Sequence, residues 1–161
     1  MNVGLLATVL ADAAVVVLGL GHVVLGNRHW PRVPMRVATS SVAVVIAWLT
    51  SELIKVSVRA PRPCHDVVVG GSCPGPSDWS MPSNHATIAG ALATCWLLLS
   101  PRTAPLACLL ALAVAGARVV GGVHHTSDVA AGLVLGAAVV WLADRTYLWR
   151  RRTGDRTMDS S

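Results

Sequence analysis

Charge is scarce in this chain: Asp, Glu, Lys and Arg together make up 13% of its 161 residues. No polar stretch is long enough to build a soluble domain, because apart from connecting loops only a short tail from Arg150 to Ser161 lies outside apolar sequence. The regular apolar-polar alternation that would mark the strands of a membrane barrel is also missing. No basic residue precedes the first apolar segment, and no clear small-residue cleavage site follows it. That segment therefore reads as a retained helix rather than a removed signal peptide.

What is present is a series of apolar runs: Val3 to Gly26, Val37 to Val58, His85 to Ser100, Ala104 to Gly122 and Asp128 to Leu148. Each is near the roughly 20 residues a helix needs to cross the hydrocarbon, the third being short at its strictly apolar core. Lipid offers the backbone no hydrogen-bond partner, so runs of this kind must be helical. The expected fold is all-α, a polytopic transmembrane helix bundle of about five spanning helices. Residues 1–149 are expected to form one transmembrane catalytic domain and residues 150–161 a polar cytoplasmic tail, disordered after Arg152.

Orientation follows from the arginines. Arg28, Arg32 and Arg36 fall between the first two runs, Arg102 between the third and fourth, and Arg145, Arg150, Arg151, Arg152 and Arg156 around the end of the fifth. All lie on one side, which the positive-inside rule makes cytoplasmic. The N-terminus, the loop from Arg59 to Asn84 and the turn around His124 then face outward, in a multi-pass protein of the cell membrane. Lys55, Arg59, Arg62 and Arg118 remain on the outer face against the insertion bias, which points to a functional cause. The net charge of +5 thus has two separate origins, and neither suggests nucleic-acid binding.

Cys64 and Cys73 bracket a Pro/Gly-rich part of the outer loop, where an oxidising compartment permits a disulfide. Cys95 and Cys108 lie within apolar runs and are expected to be buried small hydrophobes. Trp30, Trp79, Tyr147 and Trp149 fall near the interfaces as anchors. The Gly132/Gly136 spacing marks close packing with another helix of this chain or with a second copy, a possible homo-oligomer contact.

The remaining polar residues collect where apolar runs begin or end on the outer side. Lys55 and Arg62, with Pro61 and Pro63 stiffening the exit, offer a point charge and a planar fork to an oxyanion. Alone they also suit snorkelling at a helix end. Pro82-Ser83-Asn84-His85 opens the third run. There Ser83 or Asn84 can cap the helix, its free N–H groups attract an anion, and His85 is a proton donor to a leaving group. Arg118, His124 and Asp128 flank the last turn, where Gly121 and Gly122 allow the reversal. Asp128 can accept from an imidazole N–H and leave the other nitrogen free to attack. Whether His124 or its neighbour His125 would act is left open by these residues alone.

Taken together, Lys55 with Arg62-Pro63, then Pro82-Ser83-Asn84-His85, then Arg118 with His124 and Asp128 resemble the three-part signature of the type-2 phosphatidic acid phosphatase (PAP2) superfamily, KxxxxxxRP, PSGH and SRxxxxxHxxxD. The resemblance implies a metal-independent, cofactor-free membrane lipid phosphatase working through a phosphohistidine. His124 would be the nucleophile oriented by Asp128, and His85 the acid. Lys55, Arg62, Ser83, Asn84 and Arg118 would bind the phosphate. The substrate implied is a lipid phosphate, with a polyprenyl phosphate or pyrophosphate carrier foremost. Phosphatidylglycerophosphate, phosphatidic acid and a polyprenyl-phosphoribose phosphate are the alternatives. Two positions depart from the pattern: Asn84 stands for its Gly and Ala117 for its Ser. The five runs also compare with six spans common in the family.

Three other readings compete. His85, His124, His125 and Asp128 could hold a metal such as zinc, although the surrounding cations oppose it. Asp12 and Glu52 could line a transport path in a non-catalytic protein, with Glu52 able to pair with Lys55 and Asp12 lacking an obvious partner. A vanadate haloperoxidase has a similar site, but on a soluble chain.

Overall fold

The computed structural model describes residues 3–66 and 73–158, with side chains up to Thr153; part of the outer loop and the last residues of the tail lie outside it. Five α-helices follow in order: α1 (Val3–His29), α2 (Pro34–Val58), α3 (Asn84–Leu99), α4 (Ala104–Val120) and α5 (Thr126–Met158). No strand occurs among the described residues. Proline sets the start of α2 at Pro34 and of α4 at Pro105, where its missing N–H is no loss. Arg59 ends α2 in the left-handed region at φ 53°, its N–H closing onto the carbonyl of Lys55.

α1, α2 and α5 are long and apolar enough to cross a membrane, whereas α3 has 16 residues and α4 has 17. At 1.5 Å per residue the two short helices span only about 24–26 Å. The short third run is as expected; the fourth is short as well. The short helices also place the polar loops within the depth of the bundle. Ala7 of α1 is level with Gly121 just past α4, and Asp12 of α1 is level with His85 at the start of α3.

α3 is the central helix, with Ala86, Ala89, Ala91 and Cys95 fully enclosed. Its seam with α5 is made of backbone rather than side chains. A Cβ on Gly132 would meet the carbonyl of Ser83 at 2.6 Å, one on Gly136 would strike the carbonyl of Thr87, and one on Gly90 would strike that of Leu133. The GxxxG spacing therefore serves packing within the chain. α1 is tied to α3 by the Trp96 indole, which donates to the Leu18 carbonyl at 3.0 Å. Arg36 clamps α2 to α5 with two hydrogen bonds to Asp144, at 2.6 and 3.0 Å.

Two expectations change. α5 stays helical to Met158, so the tail after Arg152 begins as helix rather than disordered chain. Cys95 is buried, but Cys108 is exposed on the outer surface of α4. Trp30 and Trp149 are exposed as interfacial anchors would be.

Candidate active site

The long loop between α2 and α3 is pinned by a disulfide between Cys64 and Cys73, with Cα atoms 5.8 Å apart. A 3-10 turn at Pro63–His65 and a bond from the Ser80 N–H to the Ala60 carbonyl fold it back over the bundle. Arg62 is the staple. Its Nε donates to the Asp78 carbonyl at 2.7 Å and its Nη1 to the Val123 carbonyl at 3.0 Å, joining the α2–α3 loop to the α4–α5 turn. Gly122, at φ 72°, makes that turn possible.

These restraints bring the three distant stretches together around one cavity of about 250 Å³. Lys55, Arg62, Asp78, Asn84, His85, Arg118 and His124 line it. Lys55, Arg62, Arg118 and His124 are buried, and so are Ser83 and Asp128 beside them. Arg59 and His125 are not brought in; both are exposed. Among the described residues His85, His124, His125 and Asp128 do not gather as ligands of one metal ion.

His124 has a defined tautomer. Arg62 Nη1 donates to its Nε2 at 3.0 Å, which leaves Nδ1 carrying the proton. The expected direct bond from that proton to Asp128 is not formed, since Nδ1 and Oδ2 are 3.7 Å apart. Ser80 fills the gap. Its Oγ lies 3.3 Å from Nδ1 and donates to Asp128 Oδ2 at 2.5 Å. Asp128 is held in turn by the His125 N–H at 2.8 Å, in the first turn of α5. Burial first, then the charges of Arg62 and Arg118, push the His124 pKa from 6.5 down to about 3, so the ring is neutral at physiological pH.

The anion-binding groups are only partly occupied. Ser83 stands at the N-cap of α3, yet its hydroxyl makes no capping bond, and Ser83 Oγ and Arg118 Nε are buried without a hydrogen-bond partner among the described residues. Lys55 and Arg62 share the carboxylate of Asp78, at 3.2 and 2.9 Å from Nζ and Nη2. Burial alone would raise the Asp78 pKa, but the hydrogen bond and charge of Arg62, with the charge of Lys55, hold it below the ordinary carboxylate range. Asn84 is the first residue of α3, and its amide is taken up by Ser51, at 2.7 Å, and by Glu52. Glu52 also lies 3.7 Å from Lys55. Asp12 has a partner after all: its Oδ1 is 2.8 Å from His85 Nε2.

Ser80, Asp78 and Asp12 are thus the site residues that motif reading missed. Asp12 carried a signal, an acid alone in an apolar helix; Ser80 carried none.

A helical membrane bundle surrounding a recessed, cation-lined pocket with a neutral histidine defines a class of membrane protein built to handle phosphate. The PAP2 superfamily model matches residues 36–152, and the chain belongs to that superfamily. It is a membrane lipid phosphatase. Decaprenylphosphoryl-5-phosphoribose phosphatase of Mycobacterium tuberculosis is 35% identical over 82% of this chain and 73% of its own length. Lipid A 1-phosphatase of Rhizobium johnstonii is 39% identical over 69% of this chain and 46% of its own. The crystal structure of a transmembrane PAP2-type phosphatidylglycerolphosphate phosphatase from Bacillus subtilis shares the fold. It has a TM-score of 0.67 at 21% identity, covering 88% of this chain and 74% of that one.

Proposed function

We propose that this protein removes the phosphate of a polyprenyl-type lipid phosphate at the outer face of the cell membrane, with His124 as the nucleophile. The observation that carries the reading is the convergence of Lys55, Arg62, His85, Arg118 and His124 on one cavity. The unpartnered Ser83 Oγ and Arg118 Nε support it as donors awaiting an anion. The likeness to the mycobacterial phosphatase, whose name specifies a decaprenyl-linked phosphoribose, favours a polyprenyl substrate over a glycerolipid. Within that class, a phosphoribose 5-phosphate and a simple carrier phosphate or pyrophosphate are both consistent with the cavity.

In the first step Nε2 of His124 forms a bond to phosphorus while the bond to the leaving oxygen breaks. His85 gives its proton to that oxygen. Ser80 and Asp128 keep Nδ1 protonated and stabilise the charge that develops on the ring. Lys55, Arg62, Ser83 and Arg118 hold the equatorial oxygens, whose charge is bound best where it builds up. In the second step water attacks phosphorus, His85 takes a proton from it, and the N–P electron pair returns to His124. Asn84, engaged by Ser51 and Glu52, would shape the pocket rather than ligate phosphate directly.

The arginines of the α1–α2 and α3–α4 connections and the end of α5 support a cytoplasmic C-terminus, with the cavity on the opposite, outer side. Residues 1–149 would then form the catalytic domain and residues 150–161 a basic cytoplasmic extension of α5. Oligomerisation is no part of the proposal.

The test is phosphate release from a panel of polyprenyl phosphate, polyprenyl pyrophosphate, polyprenyl-phosphoribose 5-phosphate, phosphatidic acid and phosphatidylglycerophosphate. Wild type would be compared with His124→Ala. Turnover of the polyprenyl substrates that disappears in the folded variant is expected. Undiminished turnover would remove His124 from the mechanism, and a preference for phosphatidic acid would overturn the substrate class.

A further inference from the structure

Asp12 is the sole acid of α1, whose next ionisable side chain is His22. It lies roughly 13 Å below the start of the helix at 1.5 Å per residue. An ionisable group at such depth is costly to insert and is ordinarily retained for a purpose. Nothing in the motif pattern touches α1, yet this carboxylate reaches His85 on α3 at 2.8 Å. The charged groups that face His85 from the other packed helices are Lys55 of α2 and Arg118 of α4, both cations. Asn84 offers no negative charge, and Glu52 is engaged by Asn84 and Lys55.

We infer that Asp12 is a positioning residue for the reaction: its carboxylate grips Nε2–H of His85 and supplies the negative charge that lets this imidazole carry a second proton, on Nδ1, between two cations. The inference rests on the reading of His85 as the acid. Among the described residues no group bonds Nδ1 of His85, so that proton is free to leave. As the P–O bond breaks, it passes to the departing oxygen, and His85 remains neutral with Nε2–H still held by Asp12. Water attack restores it: the proton lost by water returns to Nδ1 while the N–P bond of His124 breaks. A carboxylate, a histidine and a transferred proton thus act on the leaving-group side, as Asp128, Ser80 and His124 act on the attacking side.

A merely structural Asp12, one that only ties α1 to α3 by a hydrogen bond, predicts different behaviour from the isosteric Asp12→Asn. The amide keeps a hydrogen bond to the ring but not the charge. The experiment compares wild type, Asp12→Asn, Asp12→Glu, His85→Gln and the Asp12→Asn/His85→Gln double variant on two substrates. One is farnesyl phosphate, whose alkoxide needs a proton to leave; the other is p-nitrophenyl phosphate, whose phenolate does not.

Because His85 also serves the water step, which both substrates share, leaving-group release is read in a single turnover. General acid catalysis is worth about 100- to 10,000-fold, so Asp12→Asn should slow release of farnesol by about 30-fold or more while changing release of nitrophenolate by less than about 3-fold. His85→Gln should show the same split, the double variant should be no worse than His85→Gln, and Asp12→Glu should restore most of the lost rate. The basic limb of the single-turnover rate of farnesol release should also move to lower pH in Asp12→Asn. A retained single-turnover burst of nitrophenolate shows that the variants are folded. A wild-type rate of farnesol release by Asp12→Asn, or equal losses of leaving-group release from both substrates while His85→Gln discriminates, would overturn the role of Asp12 alone. If His85→Gln fails to discriminate, the acid assignment itself falls and this inference falls with it.

Discussion

Ser80 stands between His124 and Asp128, its hydroxyl 3.3 Å from Nδ1 of the one and 2.5 Å from Oδ2 of the other. The imidazole is therefore oriented through a hydroxyl relay. Removing that hydroxyl leaves Nδ1–H facing a carboxylate it does not reach. A hydrogen bond to a charged group is worth about 1.5–3 kcal/mol, so Ser80→Ala should lower kcat by about 10- to 100-fold with little change in KM. Steady-state kinetics on a lipid phosphate would read this, and wild-type kcat would dismiss the relay.

Asp78 occupies with its carboxylate the space between Lys55 and Arg62 that a phosphate oxygen would fill. Substrate must displace it. Asp78→Asn keeps the shape but loosens that internal competitor, so inorganic phosphate should inhibit the variant about 3- to 10-fold more strongly, near the tenfold that 1.4 kcal/mol represents. Weaker inhibition would mean that Asp78 organises the two cations instead of competing for them.

The neutral burial of His124 makes stability depend on pH. Its pKa is about 3 when folded, against an ordinary value of 6.5 in the unfolded chain, so as pH falls through 6.5 the unfolded chain takes up the proton first. Stability is then lost across the window from pH 6.5 to about 3. Asp78, whose pKa is lowered by folding, adds to the loss as pH falls from 3.8. In detergent, the melting temperature of wild type should drop more steeply from pH 7 to pH 4 than that of His124→Gln; parallel curves would contradict a neutral buried ring.

Backbone contact across the α3–α5 seam leaves no room for a methyl group. Gly136→Ala should push Thr87 and Ala91 away and destabilise the protein by about 1–3 kcal/mol, the usual range for overpacking. Activity should fall as well, because Ser83 and His85 ride on α3. Gly116→Ala, where nothing lies within 4 Å of the added carbon, serves as the neutral control. Thermal unfolding of the two variants side by side would decide, and an unaltered Gly136→Ala would discount the seam.

The helical bundle and the three converging stretches were legible because apolar run length and motif spacing are local properties. Lys55, Arg62, His85, Arg118 and His124 needed only alternating helix direction to meet. The rest depends on how the α2–α3 loop folds, which spacing does not encode: Ser80 and Asp78 reach the site through the Ser80 to Ala60 bond and the grip of Arg62. Asp12 was conspicuous as an unpaired acid, but its partner became visible only once α1 was packed against α3. Asn84 reads as a phosphate ligand by position, whereas Ser51 and Glu52, outside every motif, claim its amide.

With Asp78 answering Lys55 and Arg62, and Glu52 beside Lys55, two of the three cations that line the pocket already face acids of this chain. Free sulfate or nucleotide would gain little by evicting an anion that is already covalently attached to the loop. A phosphate tethered by its own tail in the bilayer arrives at far higher local concentration and can win that exchange, the advantage any linked ligand has over a free one. Confinement to two dimensions, more than snugness of fit, would then decide which phosphates are turned over.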